Sequence, residues 1–97
     1  MEVQIDSFHR YRNNTLQGFF NVYFPDSGMV IRGFSLHKND KSKWIEIPAK
    51  PPTNPESNAP WTKILFFYDK REEIKFLSTL MKALDEYLGK QPDISFD

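Results

Sequence analysis

The 97-residue sequence contains no cysteine and only two histidines, and it has no long hydrophobic run. The lack of cysteine excludes a disulfide framework, a thiol nucleophile and a thiolate metal site. No apolar stretch approaches the roughly 18 residues of a membrane-spanning helix, and the start MEVQIDSFHR lacks the apolar core of a secretory signal. We therefore expect a cytoplasmic protein with no membrane association.

Neither sign of charge is in excess, because 13 Lys and Arg residues balance 13 Asp and Glu residues. This balance disfavours a protein that holds polyanions by bulk charge alone. The charge is uneven along the chain, however, since residues 1–68 sum to +2 and residues 69–97 to −2. The first segment could therefore present a local basic face, although the same charges could equally be solvated residues of strands and turns.

Aromatic residues are abundant, at 15% of the chain, with nine Phe, four Tyr and two Trp. A chain of this length forms one domain with one small core, so rings are expected to dominate the packing. We assign residues 1–90 to this domain and residues 91–97 to a flexible tail.

The first half of the sequence is typical of an antiparallel β-meander. Alternating apolar residues and turn signals predict strands over residues 3–12, 17–24, 29–38 and 43–48, with a β-bulge where the alternation slips at Gly33. Four prolines between residues 49 and 60 predict a loop or arm, because proline disrupts both strands and helices. The apolar run WTKILFFY at residues 61–68 predicts a fifth strand that is buried on both faces.

One helix is predicted after the strands, so the expected fold class is α+β: an antiparallel meander of about five strands followed by one C-terminal helix. Asp69 is the expected N-cap, with Glu72 in a capping-box position, and Gly89 is a C-cap candidate. The apolar helix face is wider than the stripe of roughly 100° that one sheet requires. This width favours a homodimer, unless the helix lies deep in a concave sheet. The predicted dimer interface consists of apolar strand and helix residues: Leu65, Phe67, Leu77, Met81, Leu84 and Leu88.

Signatures of enzymes are missing from the sequence. It has no Gly-rich phosphate loop and no G-x-S-x-G motif, and His9 and His37 lack the spacing of a metalloprotease. Asp6, Ser7 and His9 cannot converge as a catalytic triad, because neighbouring strand residues point to opposite faces. We expect a protein that is not an enzyme and that requires no cofactor or metal.

One block of the sequence resembles a known family. The strand and turn SGMVIRGFSLHKND, the step KWIEIPAKPP, a spacer, an apolar strand and a helix running from DKREE to LDEYL are similar to the SpoVG-like proteins and to related short prophage-associated bacterial domains. The resemblance covers residues 19–88. The positions that match the shared pattern are Trp44, Ile45, Ile47, Pro48 and Lys50. It implies a small sheet with a C-terminal helix, a homodimer, nucleic-acid binding and a regulatory role in bacteria.

Rings and basic residues also interleave along the predicted strands, independently of the resemblance. Single-stranded nucleic acids bind where bases stack on aromatic faces while Lys and Arg contact the phosphates. The candidate binding residues are neighbours of these two types: Arg10, Tyr11, Arg12, Arg32, Lys43, Trp44, Lys50 and Lys63. Trp44 is the leading stacking candidate, whereas most other rings are expected in the core. The first hypothesis is a module that binds single-stranded DNA or RNA; the alternative is a protein-interaction or assembly module that uses the Pro-rich arm 50–60.

Overall fold

The computed structural model describes residues 1–54, 56 and 58–90. Its elements are β1 (Gln4–Asn13), β2 (Leu16–Phe24), β3 (Met29–Lys38), β4 (Lys43–Glu46), β5 (Ala49–Lys50), β6 (Thr62–Lys63) and α1 (Lys70–Gly89). Strands β1 to β4 form an antiparallel meander in chain order, and β5 pairs with β6 in a separate two-stranded ribbon. The predicted α+β class is confirmed, while the predicted tail, residues 91–97, lies outside the described residues.

Tight turns and one bulge set the register of the meander. Asn14 (φ 56°) turns β1 into β2, and Gly28 (φ 70°) closes the next turn, where its N–H donates to the Phe24 carbonyl at 2.8 Å. Gly33 (φ 91°) lies where the β2–β3 register shifts, between the pairs Phe20↔Phe34 and Val22↔Ile31. The predicted bulge at Gly33 is therefore confirmed, and it occupies a backbone conformation that favours glycine.

The core lies between one face of the meander and α1. Alternation along β2 places Phe20, Val22 and Phe24 on this face, as the sequence predicts, and all three are buried. The Phe20 ring packs on Phe34 with centroids 5.6 Å apart. The buried cluster is completed from β3, β4 and the helix, and its members are Phe20, Val22, Phe24, Phe34, Leu36, Ile45, Phe76, Leu80 and Leu84.

The helix begins at the predicted cap, because the Asp69 carboxylate accepts a hydrogen bond from the Arg71 N–H at 2.9 Å. Its wide apolar face is mostly used inside the chain. Leu84 is fully buried in the core and has no surface to offer to a second copy. The other predicted interface residues pack, half-buried, against the same core: Leu65, Phe67, Leu77, Met81 and Leu88. Packing within the chain thus uses most of the width of the helix face.

The predicted fifth strand over residues 61–68 is wrong. Only Thr62–Lys63 forms a strand, and it pairs with Ala49–Lys50 rather than with the meander. The rest of the segment crosses the edge of the helix–sheet interface, so only every second residue meets the core, as in the contact of Phe67 with Phe76 at 5.2 Å between centroids. Burial on both faces is therefore replaced by burial of one side only.

Among residues 1–54, 56 and 58–90, no helix is both long and apolar enough to cross a membrane.

Candidate nucleic-acid interface

The face of the meander opposite α1, called here the open face, carries exposed rings. Tyr11 of β1 and Phe19 of β2 lie side by side on it, with ring centroids 6.3 Å apart and an angle of 41° between the rings. Their exposed fractions are 58% and 43%. These two residues are called here the platform. Their rings are held in position by the paired strands β1 and β2 and remain exposed to solvent.

A hydrogen-bonded group around His37 lies further across the same face. The imidazole Nδ1 lies 3.0 Å from the Thr15 hydroxyl, and Nε2 lies 3.1 Å from the Ser35 hydroxyl. Since a hydroxyl can donate or accept, both tautomers of His37 are satisfied. The ring stacks on Trp44 with centroids 5.5 Å apart and 10° between the planes. The Trp44 indole N–H donates to Glu46 at 3.1 Å.

These contacts change the expected role of Trp44. It lies on the open face, as a stacking residue must, but His37 covers one side of its ring and the residue is only half exposed. The Glu46 carboxylate beside it repels phosphate. The platform of Tyr11 and Phe19 is therefore the better stacking surface, and Trp44 limits the site on its β4 side.

The centre of the open face is polar and internally hydrogen-bonded. The Asn21 amide donates to the Ser7 hydroxyl at 3.2 Å, and its oxygen accepts from the Gly33 N–H at 3.4 Å. Interface cores between protein subunits are depleted of such polar groups and enriched in apolar ones. The Asn21 and Ser7 side chains are called here the polar floor. A surface made of the polar floor and the two exposed rings beside it suits a hydrated, polar ligand better than a second hydrophobic layer.

The basic candidates do not converge on one surface. Lys43 forms an ion pair with Asp85 of α1, and Lys63 lies 3.6 Å from Glu73, so both are on the helix side of the sheet. Lys50 belongs to the β5–β6 ribbon. Arg32 follows the inward-facing Ile31 and alternation places it on the open face. Tyr11, Arg32 and Trp44 lie on the open face. Arg10 and Arg12 lie in the edge strand β1, where Arg10, which pairs with Gly18, is directed to the helix side by alternation.

Two residues of the site were missed from the sequence. Phe19 lies on the face of β2 opposite Phe20 and is not among the candidate binding residues that the sequence indicates. Strand alternation could have identified it, because a ring opposite the core face of a one-helix sheet must be exposed. His37 had no such signal, since its partners Thr15 and Trp44 come from other strands.

The described residues contain no group of three His, Asp or Glu side chains arranged to hold a metal ion. Comparison of the chain with protein-family models, with characterised proteins and with solved structures found no match.

Proposed function

We propose that this protein is a small regulatory module of the bacterial cytoplasm that binds single-stranded DNA or RNA, acts as a homodimer and is not an enzyme. The observation that carries the proposal is the platform, in which two exposed rings lie in contact beside a polar floor. Such a pair of rings supports stacking of unpaired bases, which contributes about 1–3 kcal/mol per base.

The charges around the platform indicate where the phosphates of a bound single-stranded nucleic acid would lie. Arg10 and Arg12 are neighbours of Tyr11 in the edge strand β1, where alternation directs Arg10 to the opposite face, and Arg32 lies on the open face on β3. The negative Glu46 lies at the opposite, β4 edge, in the same cross-strand row as Phe19. Phosphates are therefore expected at Arg32 and around the β1 edge, away from β4, with two or three of them contacted by arginine.

Single strands fit this site better than a duplex. A stacked duplex offers no base faces to rings, whereas unpaired bases can lie on them. Helix α1 is poorly suited to act as a recognition helix in the major groove, because one side of it, with Phe76, Leu80 and Leu84, is buried against the sheet. Its solvent side carries acids as well as bases, including the Glu72–Lys75 pair at 3.6 Å.

The test is fluorescence anisotropy with labelled DNA and RNA oligonucleotides of mixed sequence, titrated at several salt concentrations. Phe19→Ala should weaken binding by about 5- to 150-fold, the equivalent of about 1–3 kcal/mol for one stacked base. Trp61→Ala is the matched control, because Trp61 is an exposed ring that lies on the helix side beside Ile45 and Leu77. It should leave the affinity unchanged.

The salt dependence provides a second readout from the same titrations. Each phosphate contact on a single strand contributes about −0.7 to the slope of log affinity against log salt, so two or three contacts predict a slope of about −1.4 to −2.1. A protein that binds no oligonucleotide at low salt, or one that binds equally well after Phe19→Ala, would contradict the proposal.

A second candidate function is a protein-interaction or assembly module without nucleic-acid binding. It is favoured by the Pro-rich arm, which the β5–β6 ribbon closes at its base and whose described residues are exposed except for the half-buried Pro52. Replacing residues 51–60 with a short Gly-Ser linker tests it. Loss of cellular function in this variant, together with normal function of Phe19→Ala, would favour the assembly role.

A further inference from the structure

The segment Ile64–Tyr68 has the side-chain pattern of a β-strand. Its Ile64 N–H donates to the Pro48 carbonyl at 2.8 Å, next to the β5–β6 ribbon, but the residues after Ile64 join no sheet. The exposed fractions of Ile64, Phe66 and Tyr68 are 66%, 58% and 99%, whereas Leu65 and Phe67 pack against the core. This period of two is that of a strand with one buried face. In the part of the chain that the structure describes, residues 65–68 make no backbone hydrogen bond to a neighbouring strand.

Unpaired backbone groups beside exposed apolar side chains are a template for another strand. The Phe66 and Tyr68 rings already contact each other edge to face, with centroids 5.4 Å apart, so they present one continuous apolar surface. Behind them, Leu65 and Phe67 line a largely apolar cavity of about 370 Å³ on the core side of the segment. The side with Ile64, Phe66 and Tyr68 is therefore the one that a partner strand can contact.

We propose that residues 64–68 form a seam with the same segment of a second copy, paired antiparallel about a two-fold axis at Phe66. Phe66 then faces Phe66 of the second copy, and Ile64 faces Tyr68 of the second copy. In an antiparallel pair, the Cα atoms of facing residues are about 4.5–5.5 Å apart, which is close enough for their rings to pack. The inference refines the homodimer of the proposed function and is independent of its nucleic-acid part.

The flanking charges favour a second copy over an unrelated partner. An antiparallel seam centred on Phe66 places Lys63 opposite Asp69 of the second copy, in addition to the ion pairs that these side chains form with Glu73 and Arg71 of their own chain. The two-fold axis repeats the contact at the other end. A parallel, in-register arrangement would instead bring Lys63 to Lys63 and Asp69 to Asp69. Opposite charges across a strand pair are stabilising, and like charges are destabilising. The flanking charges therefore favour the antiparallel seam over the parallel, in-register one.

The seam is small, and this determines how the dimer should behave. Aromatic side chains bury about 150–250 Å² each, so at their exposures Phe66 and Tyr68 offer on the order of 300 Å² per copy. A standard interface takes about 800 Å² from each partner. The dimer is therefore expected to dissociate on dilution, and its fraction in light scattering should rise with protein concentration.

Single-cysteine cross-linking tests the seam directly, because the chain has no cysteine of its own. Phe66→Cys should form an interchain disulfide under mild oxidation, since residues that face each other across a strand pair lie within disulfide range. Ile64→Cys alone and Tyr68→Cys alone should not, but a mixture of these two variants should cross-link. Ser78→Cys, on the exposed side of α1, gives the background rate of collision.

The variants also show how the inference can fail. Cross-linking of Phe66→Cys at the background rate of Ser78→Cys would overturn the seam. Efficient cross-linking of Ile64→Cys alone would overturn its antiparallel register. Phe66→Glu, at an exposed position outside the core, should shift the light-scattering mass towards the monomer; a dimer that survives this substitution uses another surface. None of these measurements involves an oligonucleotide, so their failure is distinct from failure of the nucleic-acid proposal.

Discussion

At Gly18, next to Phe19 in β2, the backbone and a side chain of β1 leave no room for a side chain. A Cβ atom at this position would lie 2.6 Å from the His9 carbonyl oxygen and 2.6 Å from the end of the Phe8 ring. Ordinary contacts of a Cβ atom begin near 3.4 Å. Gly18→Ala must therefore displace both groups by several tenths of an ångström.

The two groups differ in how easily they move. The Phe8 ring packs on Phe20 at 6.5 Å between centroids and could tilt, but the His9 carbonyl belongs to the β1–β2 ladder, where His9 pairs with Phe19. Overpacking of this kind costs about 1–3 kcal/mol. With a urea slope of about 1–3 kcal/mol per molar for a small protein, the unfolding midpoint should fall by about 1 M.

Urea unfolding followed by circular dichroism measures this change, with Gly89→Ala as the matched control. A Cβ at Gly89 meets no atom within 4 Å, and alanine is favoured over glycine in a helix by up to about 1 kcal/mol. The substitution of glycine by alanine should thus lower the free energy of unfolding at Gly18 and raise it at Gly89. Phe8→Leu should relieve Gly18→Ala only in part, because the carbonyl contact remains. A Gly18→Ala protein as stable as the parent would refute the close approach.

Three further outcomes are expected. Leu80→Ala, at a fully buried core position, should destabilise the fold by about 2–5 kcal/mol in urea unfolding. Hydrogen bonds from the backbone and then the side chain of Arg71 lower the pKa of Asp69. The Asp69 carboxylate therefore stabilises the fold at neutral pH, and this stabilisation is lost as pH falls through the lowered pKa. The Tm difference between the parent and Asp69→Ala should accordingly vanish in acid. Glu46→Gln should tighten oligonucleotide binding in anisotropy, because it removes a repulsive charge and keeps an acceptor for Trp44.

Local patterns predicted most of the fold. The meander, the bulge at Gly33 and the cap at Asp69 depend on neighbouring residues, so the sequence reveals them directly. The strand predicted at 61–68 failed because an apolar run shows that residues avoid water without showing what covers them. Leu65 and Phe67 pack against the core, whereas the alternate residues Ile64, Phe66 and Tyr68 remain largely exposed.

The candidate site was harder to predict, because its chemistry depends on contacts between distant residues. Lys43 and Trp44 are adjacent in the sequence, and both were expected to bind the same ligand. The structure pairs Lys43 with Asp85 on the helix side and stacks Trp44 on His37 on the open face. Strand alternation predicts that the two side chains diverge, but no local pattern identifies the partner that each one finds.

The positions of the platform and the seam bear on how a dimer would bind. Leu65 and Phe67 pack on the helix side of the sheet, so pairing through the seam leaves Tyr11 and Phe19 uncovered on the open face. A dimer would then carry two platforms, and one oligonucleotide long enough to reach both would bind more tightly than two short ones. Affinity should therefore rise steeply above a threshold length, and Phe66→Glu should abolish that rise while leaving short oligonucleotides unaffected. A threshold that persists in Phe66→Glu would show that the two surfaces are not coupled in this way.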